Sequence, residues 1–106
     1  MFTIGLGLTL KSGAYHGYKK AHDECWPELL ERQQACGVSM VIYRSGDRLF
    51  VHATAPTEAD WLATRESPTV DKWNEFMKRF LETDEEGNIR FEQLELTFVN
   101  GDFAGD

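Results

Sequence analysis

Residues 2 to 10 alternate with a period of two, with Phe2, Ile4, Leu6, Leu8 and Leu10 on one face and Thr3, Gly5, Gly7 and Thr9 on the other. Such a segment is a half-buried β-strand, and its apolar face must be covered by the rest of the chain. Gly5 and Gly7 leave room for another group to approach the opposite face. A helical pattern follows. From 13 to 35, Tyr15, Tyr18, His22, Cys25, Trp26, Leu29, Leu30 and Gln33 recur at helical spacing, with Ser12 as the expected N-cap and a stop near Gly37. Pro27 falls inside this stretch. It removes a backbone hydrogen bond and presses on the carbonyl of Asp23, so a kink or break is expected beside His22.

Two β-branched and aromatic-rich runs, 38–44 and 48–54, flank Ser45-Gly46-Asp47 and predict a hairpin. Pro56-Thr57-Glu58 ends the sheet and begins a helix, with Thr57 and Asp60 in a capping arrangement and Trp61, Leu62 and Arg65 behind them. A second helix start at Pro68-Thr69 leads into the stripe Val70, Trp73, Phe76, Met77, Phe80 and Leu81. The acidic turn 84–88 precedes a last alternating strand with Leu94, Leu96 and Phe98 on one face, and 101–106 reads as a frayed end. The order βαββααβ is that of an α+β, ferredoxin-like fold, an antiparallel sheet with helices on one face. The other sheet face then seeks a partner subunit.

A chain of 106 residues fits one domain, 1–106, and leaves no room for a separate cofactor-binding domain. Three Trp, three Tyr and seven Phe exceed what so small a core requires, and pairing with a second copy buries the surplus. The net charge of -7 disfavours nucleic acid and acidic membrane surfaces and suits a neutral ligand. Cys25 and Cys36 show no metal spacing and no disulfide framework, which points to reduced thiols and a cytoplasmic setting. No basic leader precedes the first strand, and no stretch reaches membrane-spanning length, so a soluble intracellular protein is expected.

Tyr18 and His22 are four apart and share the helix face turned toward the sheet. His22 is suited to general acid–base chemistry near neutral pH, the alternative being a core histidine bonded to a carbonyl. His52, in the second hairpin strand, faces either a ligand cavity or a subunit interface. His16 falls on another helix face. The three histidines lack a zinc spacing, so no metal centre is expected. Trp26, Trp61 and Trp73 are open to two readings, core packing or an indole face against the C–H surface of a sugar. No nucleophile triad, activated Cys motif or dinucleotide fingerprint is visible, and spacing alone names no catalytic base.

The run Tyr18-Lys19-Lys20-Ala21-His22-Asp23-Glu24-Cys25-Trp26-Pro27-Glu28-Leu29 resembles the L-rhamnose mutarotase family pattern of Tyr, a basic pair, His and then Trp-Pro-Glu-Leu. The resemblance continues through Gly37, through 42–50, and on to Lys72-Trp73-Asn74-Glu75-Phe76-Met77. It implies a homodimeric α/β barrel and a cofactor-free enzyme that interconverts the anomers of a neutral monosaccharide. It gives His22 the proton-donor role and Tyr18 a substrate contact. Trp73 matches the first residue of a sugar-contacting Trp-Trp pair whose second position is Asn74 here, and Met40 stands nearest to a family tyrosine. These departures alter the pocket wall, so L-fucose joins L-rhamnose as a candidate. In the implied reaction His22 protonates the ring oxygen while a carboxylate, His52 or an ordered water takes the anomeric proton. Two other readings remain open: a cofactor-free monooxygenase acting on flat aromatic substrates, and a non-catalytic small-ligand binding module.

Overall fold

The computed structural model describes residues 1 to 104. Its elements are β1 (Phe2–Thr9), α1 (Tyr15–Asp23), α2 (Pro27–Ala35), β2 (Ser39–Ser45), β3 (Arg48–Ala55), α3 (Glu58–Thr64), α4 (Pro68–Met77) and β4 (Glu92–Gln93), with a short 3₁₀ turn, η1 (Gly101–Ala104). The sheet is antiparallel in the order β2-β3-β1-β4, the ferredoxin-like arrangement that the element order predicts. No helix among the described residues is long and apolar enough to cross a membrane.

The expected alternation decides what each sheet face holds. Leu6 pairs with Val51, Leu8 with Leu49 and Ile4 with Ala53, and Met40 and Ile42 of β2 continue the same face. Leu6, Leu8, Leu10, Leu49, Val51 and Ala53 make the core together with Tyr18, Ala21, Trp61, Met77, Leu81 and Ile89, and Leu10 and Leu49 are only 1% exposed. The other face carries Thr3, Gly5, Phe50, His52, Val41 and Tyr43. Both glycines of β1 have neighbours there: a Cβ on Gly5 would meet Leu94 at 3.6 Å, and one on Gly7 would collide with the Arg48 guanidinium at 2.7 Å. Arg48 is held in place by an ion pair to Glu92, at 3.1 Å.

Pro27 produces a break rather than a kink. α1 ends at Asp23, Trp26 takes an extended conformation (φ -60°, ψ 128°), and Pro27 opens α2 at the position where its missing N–H costs nothing. His22 therefore lies in the last turn of a short helix. The hairpin closes as expected, with Gly46 at φ 59° in a two-residue turn between paired Ser45 and Arg48. Thr57 and Ser67 accept the amides of Asp60 and Val70, capping α3 and α4.

Three expectations need correction. Ser12 is not the N-cap of α1; the chain turns through Gly13 (φ 75°), and Ala14 occupies that position without a side-chain cap. The stripe 70–81 outlasts its helix, because α4 stops at Met77 and Leu81 instead bridges Leu10, just past the end of β1. The last strand is two residues long, since only Leu94 still donates to Gly5 (2.9 Å) before the chain leaves the ladder and exposes Leu96 and Phe98. Residues 105 and 106, part of the expected frayed end, lie outside the described residues.

Because Leu49 sits at the centre of the core and the surrounding sheet cannot collapse into the gap, Leu49→Ala is expected to lose about 2–5 kcal/mol of stability, measured by urea unfolding.

Candidate active site

A cavity of about 120 Å³ opens between the helices and the core face of the sheet. The helices contribute Tyr18, His22, Trp73 and Asn74, the C-cap of α3 contributes Arg65, and the sheet contributes Met40 and Ile42.

The break at Pro27 shapes the wall around His22. Its Nδ1 lies 3.0 Å from the Tyr18 carbonyl oxygen. A carbonyl only accepts, so the proton sits on Nδ1 and Nε2 carries the free lone pair. The ring is held between aromatic neighbours, 4.2 Å from the Tyr18 ring and edge-on to Trp73 at 5.3 Å. Burial is the main cause of a His22 pKa lowered from 6.5, partly opposed by the Tyr18 carbonyl. Tyr18 is buried as well, which pushes its phenol up to about 12 and keeps it a hydrogen-bond donor. Neither the Tyr18 hydroxyl nor the Asn74 amide has a hydrogen-bond partner among the described residues, so both remain available to a ligand.

The structure brings together Tyr18, His22, Met40, Trp73 and Asn74. Met40 reaches the cavity because it pairs with Ala53 on the core face, and it is 36% exposed at the rim. Two candidates are not brought there. Trp26 stands behind the wall, edge-on to Trp73 at 5.1 Å and stacked on Phe76, and so supports an indole that lines the cavity without lining it itself. His52 points to the opposite sheet face, where its Nε2 lies 2.8 Å from Thr3 Oγ1 and its ring meets Phe103. The pleat forces this, since its neighbours Val51 and Ala53 are both core residues. Tyr15 stacks under the Arg44 guanidinium at 3.7 Å and also lies outside the cavity.

Sequence reasoning did not assign Arg32, Arg65, Gln33 and Phe91 to the site, although all four line the cavity. For Arg65 a signal existed, because it stands four residues after buried Trp61 and therefore shares its helix face. No carboxylate lines the cavity among the described residues, and no group of three or more His, Cys, Asp or Glu there is arranged to hold a metal ion.

A ferredoxin-like sheet and four helices that enclose one histidine, a buried phenol and an indole define a protein with a small-ligand site between its two layers. Comparison with known proteins narrows this. The family model for L-rhamnose mutarotase matches residues 3–99. The L-rhamnose mutarotase of Lactiplantibacillus plantarum is 28% identical over 83% of this chain and 88% of its own length. That of Clostridium beijerinckii is 32% identical over 72% of this chain and 76% of its own. Among solved structures, L-rhamnose mutarotase from Formosa agariphila superposes with a TM-score of 0.80 at 23% identity, covering 95% of this chain and all of that one. A putative antibiotic biosynthesis monooxygenase from Nitrosomonas europaea shares the fold alone, with a TM-score of 0.65 at 13% identity over 92% of this chain and all of that one. The chain belongs to the L-rhamnose mutarotase family.

The lowered pKa of His22 sets a pH dependence. The unfolded chain takes up the imidazole proton near 6.5, whereas the folded protein does so only at lower pH. Between those values the unfolded state binds more protons, so stability falls as pH drops below 6.5 and levels off beneath the folded pKa; above 6.5 this group contributes nothing. NMR titration of the His22 ring is expected to give a midpoint below 6.5, and His22→Asn should flatten the corresponding acid-side loss in urea midpoint.

Proposed function

We propose that this protein is a sugar mutarotase that interconverts the α and β anomers of a 6-deoxyhexose, L-rhamnose or L-fucose, by acid–base opening and closing of the ring. The observation that carries the reading is His22 itself: a neutral imidazole anchored through Nδ1, with Nε2 free in a cavity that also presents Tyr18, Trp73 and Asn74. Family membership supports the reaction class, and the relatives named above carry it in their names.

The tautomer orders the proton transfers. His22 Nε2 accepts the proton of the anomeric hydroxyl as the bond between C1 and the ring oxygen breaks and the O1 electrons form the aldehyde. The resulting imidazolium, favoured by the Tyr18 carbonyl at Nδ1, then delivers that proton to the ring oxygen. Rotation about C1–C2 and the reverse sequence close the ring on its other face. One residue thus serves as both acceptor and donor, because O1 and the ring oxygen share the same carbon. With no carboxylate on the wall among the described residues, and with His52 across the sheet, an ordered water serves as the relay if a second acceptor takes part. No cofactor enters the scheme. Tyr18 donates to a sugar oxygen, Trp73 covers a C–H face, and Asn74 both donates to and accepts from a hydroxyl.

Two copies pair through the open sheet face, giving the homodimeric α/β barrel. Support comes from the apolar surface left there, with Phe50 37%, Tyr43 65%, Leu96 64% and Phe98 80% exposed. Light scattering behind a sizing column is expected to report twice the chain mass, and Phe50→Glu should shift it toward the monomer.

Saturation-transfer NMR tests the activity on L-rhamnose and L-fucose. His22→Ala is expected to lower anomer exchange by about 10²–10⁴-fold while retaining the native circular dichroism spectrum. Near-native exchange in that variant would remove His22 from the reaction, and no enhancement by the wild type on either sugar would remove the mutarotase reading. Asn74→Trp is expected to change the ratio of the two rates, and an unchanged ratio would exclude Asn74 from substrate selection.

A further inference from the structure

The charge of the cavity wall opposes that of the molecule. The chain has 18 Asp and Glu against 11 Lys and Arg, yet two arginines and no carboxylate line the cavity among the described residues. The two arginines are differently engaged. Arg32 donates from Nε and Nη2 to the Ala63 carbonyl at 3.1 and 2.8 Å and so closes the end of α3. Arg65, the next residue after that helix, has no ion pair and no side-chain hydrogen bond among the described residues. Its guanidinium lies 5.1 Å from the ring centres of both Trp61 and Phe91.

Such a cation is poorly compensated. Aromatic faces attract the charge, but they do not replace oxygen acceptors for the five N–H donors of the fork. Partial burial lowers the Arg65 pKa, in keeping with a half-buried cation that has no ion pair among the described residues. A methyl group in this part of the cavity would leave the cation facing hydrocarbon. A carboxylate matches the fork in geometry and in charge. The net negative charge is no barrier at physiological salt, where interactions between exposed charges fade beyond about 8 Å.

We propose that Arg65 is a specificity residue that admits a sugar acid, a hexuronate, to this cavity, its carboxylate pairing with the guanidinium while His22 acts at the anomeric carbon. The inference rests on the mutarotase reading and widens its substrate class. The chemistry at C1 and the ring oxygen is unchanged, because the carboxylate of a hexuronate replaces only the methyl group of a 6-deoxyhexose.

The test compares sugars that differ only at C6, L-fucose with L-galacturonate and L-rhamnose with L-mannuronate. Anomer exchange is followed by saturation-transfer NMR for the wild type, Arg65→Met, Arg65→Lys and His22→Ala. The wild type is expected to exchange at least one hexuronate with a higher kcat/KM than its 6-deoxy counterpart. Arg65→Met should lower that value on the order of 10²-fold, chiefly through KM, and leave the 6-deoxy sugar within about threefold. Arg65→Lys, which keeps the charge and loses the fork, should restore part of the loss and guards against a misfolded Met variant. Equal losses on both members of a pair, or no preference for either acid in the wild type, would overturn the inference. Exchange of the 6-deoxy sugars alone would do so and leave the mutarotase reading intact, whereas exchange of none of the four would overturn both.

Discussion

The pairing of β1 with β3 is the constraint on which the rest of the molecule depends. Eight consecutive residue pairs, Phe2 with Ala55 through Thr9 with Arg48, fix which side chains enter the core and which face outward. Because side chains alternate, a slip of one residue would send Val51 and Leu49 outward and bring His52 and Phe50 into the core. The leucines of β1 and the small Ala53 and Ala55 of β3 keep one face apolar, and the helices pack on it. The cavity is the part of that interface where His22, Tyr18 and Asn74 bring polar groups into an otherwise apolar layer.

Most of the fold was legible because its signals are local. The alternation of 2–10, the hairpin around Gly46, the cap at Thr57 and the helix start at Pro68 each follow from a few neighbouring residues. Pro27 announced an interruption, but only the packed structure resolves a kink from a break. The C-terminal segment was harder to read. Leu94, Leu96 and Phe98 alternate as a strand does, yet the chain leaves β1 after one further hydrogen bond, and alternation alone carries no information about where pairing stops.

The site divides along the same line. Tyr18, His22, Trp73 and Asn74 sit on helix faces whose direction the apolar periodicity gives, and they converge. The orientation of His52 was ambiguous from its own strand, and the burial of its neighbours on either side resolves it. Trp26 follows the broken end of α1, where helical phase no longer predicts direction, and it turns to Phe76. Arg65 was read only as a helix residue, because a cation at that spacing is ordinarily a surface group, and its setting depends on Phe91, far along the chain.

The register of β1 also bears on how the protein is made. β1 leaves the ribosome before the strands it pairs with, β3 from Arg48 to Ala55 and Glu92 and Gln93 of β4. Until those residues emerge, Leu6 and Leu8 have no sheet partner, whereas the hairpin of β2 and β3 forms from neighbouring residues. Such long loops must close before their contacts stabilise the fold, which slows folding and prolongs the exposure of an apolar edge. Residues 2–10 are thus a segment of the nascent chain that needs protection from association.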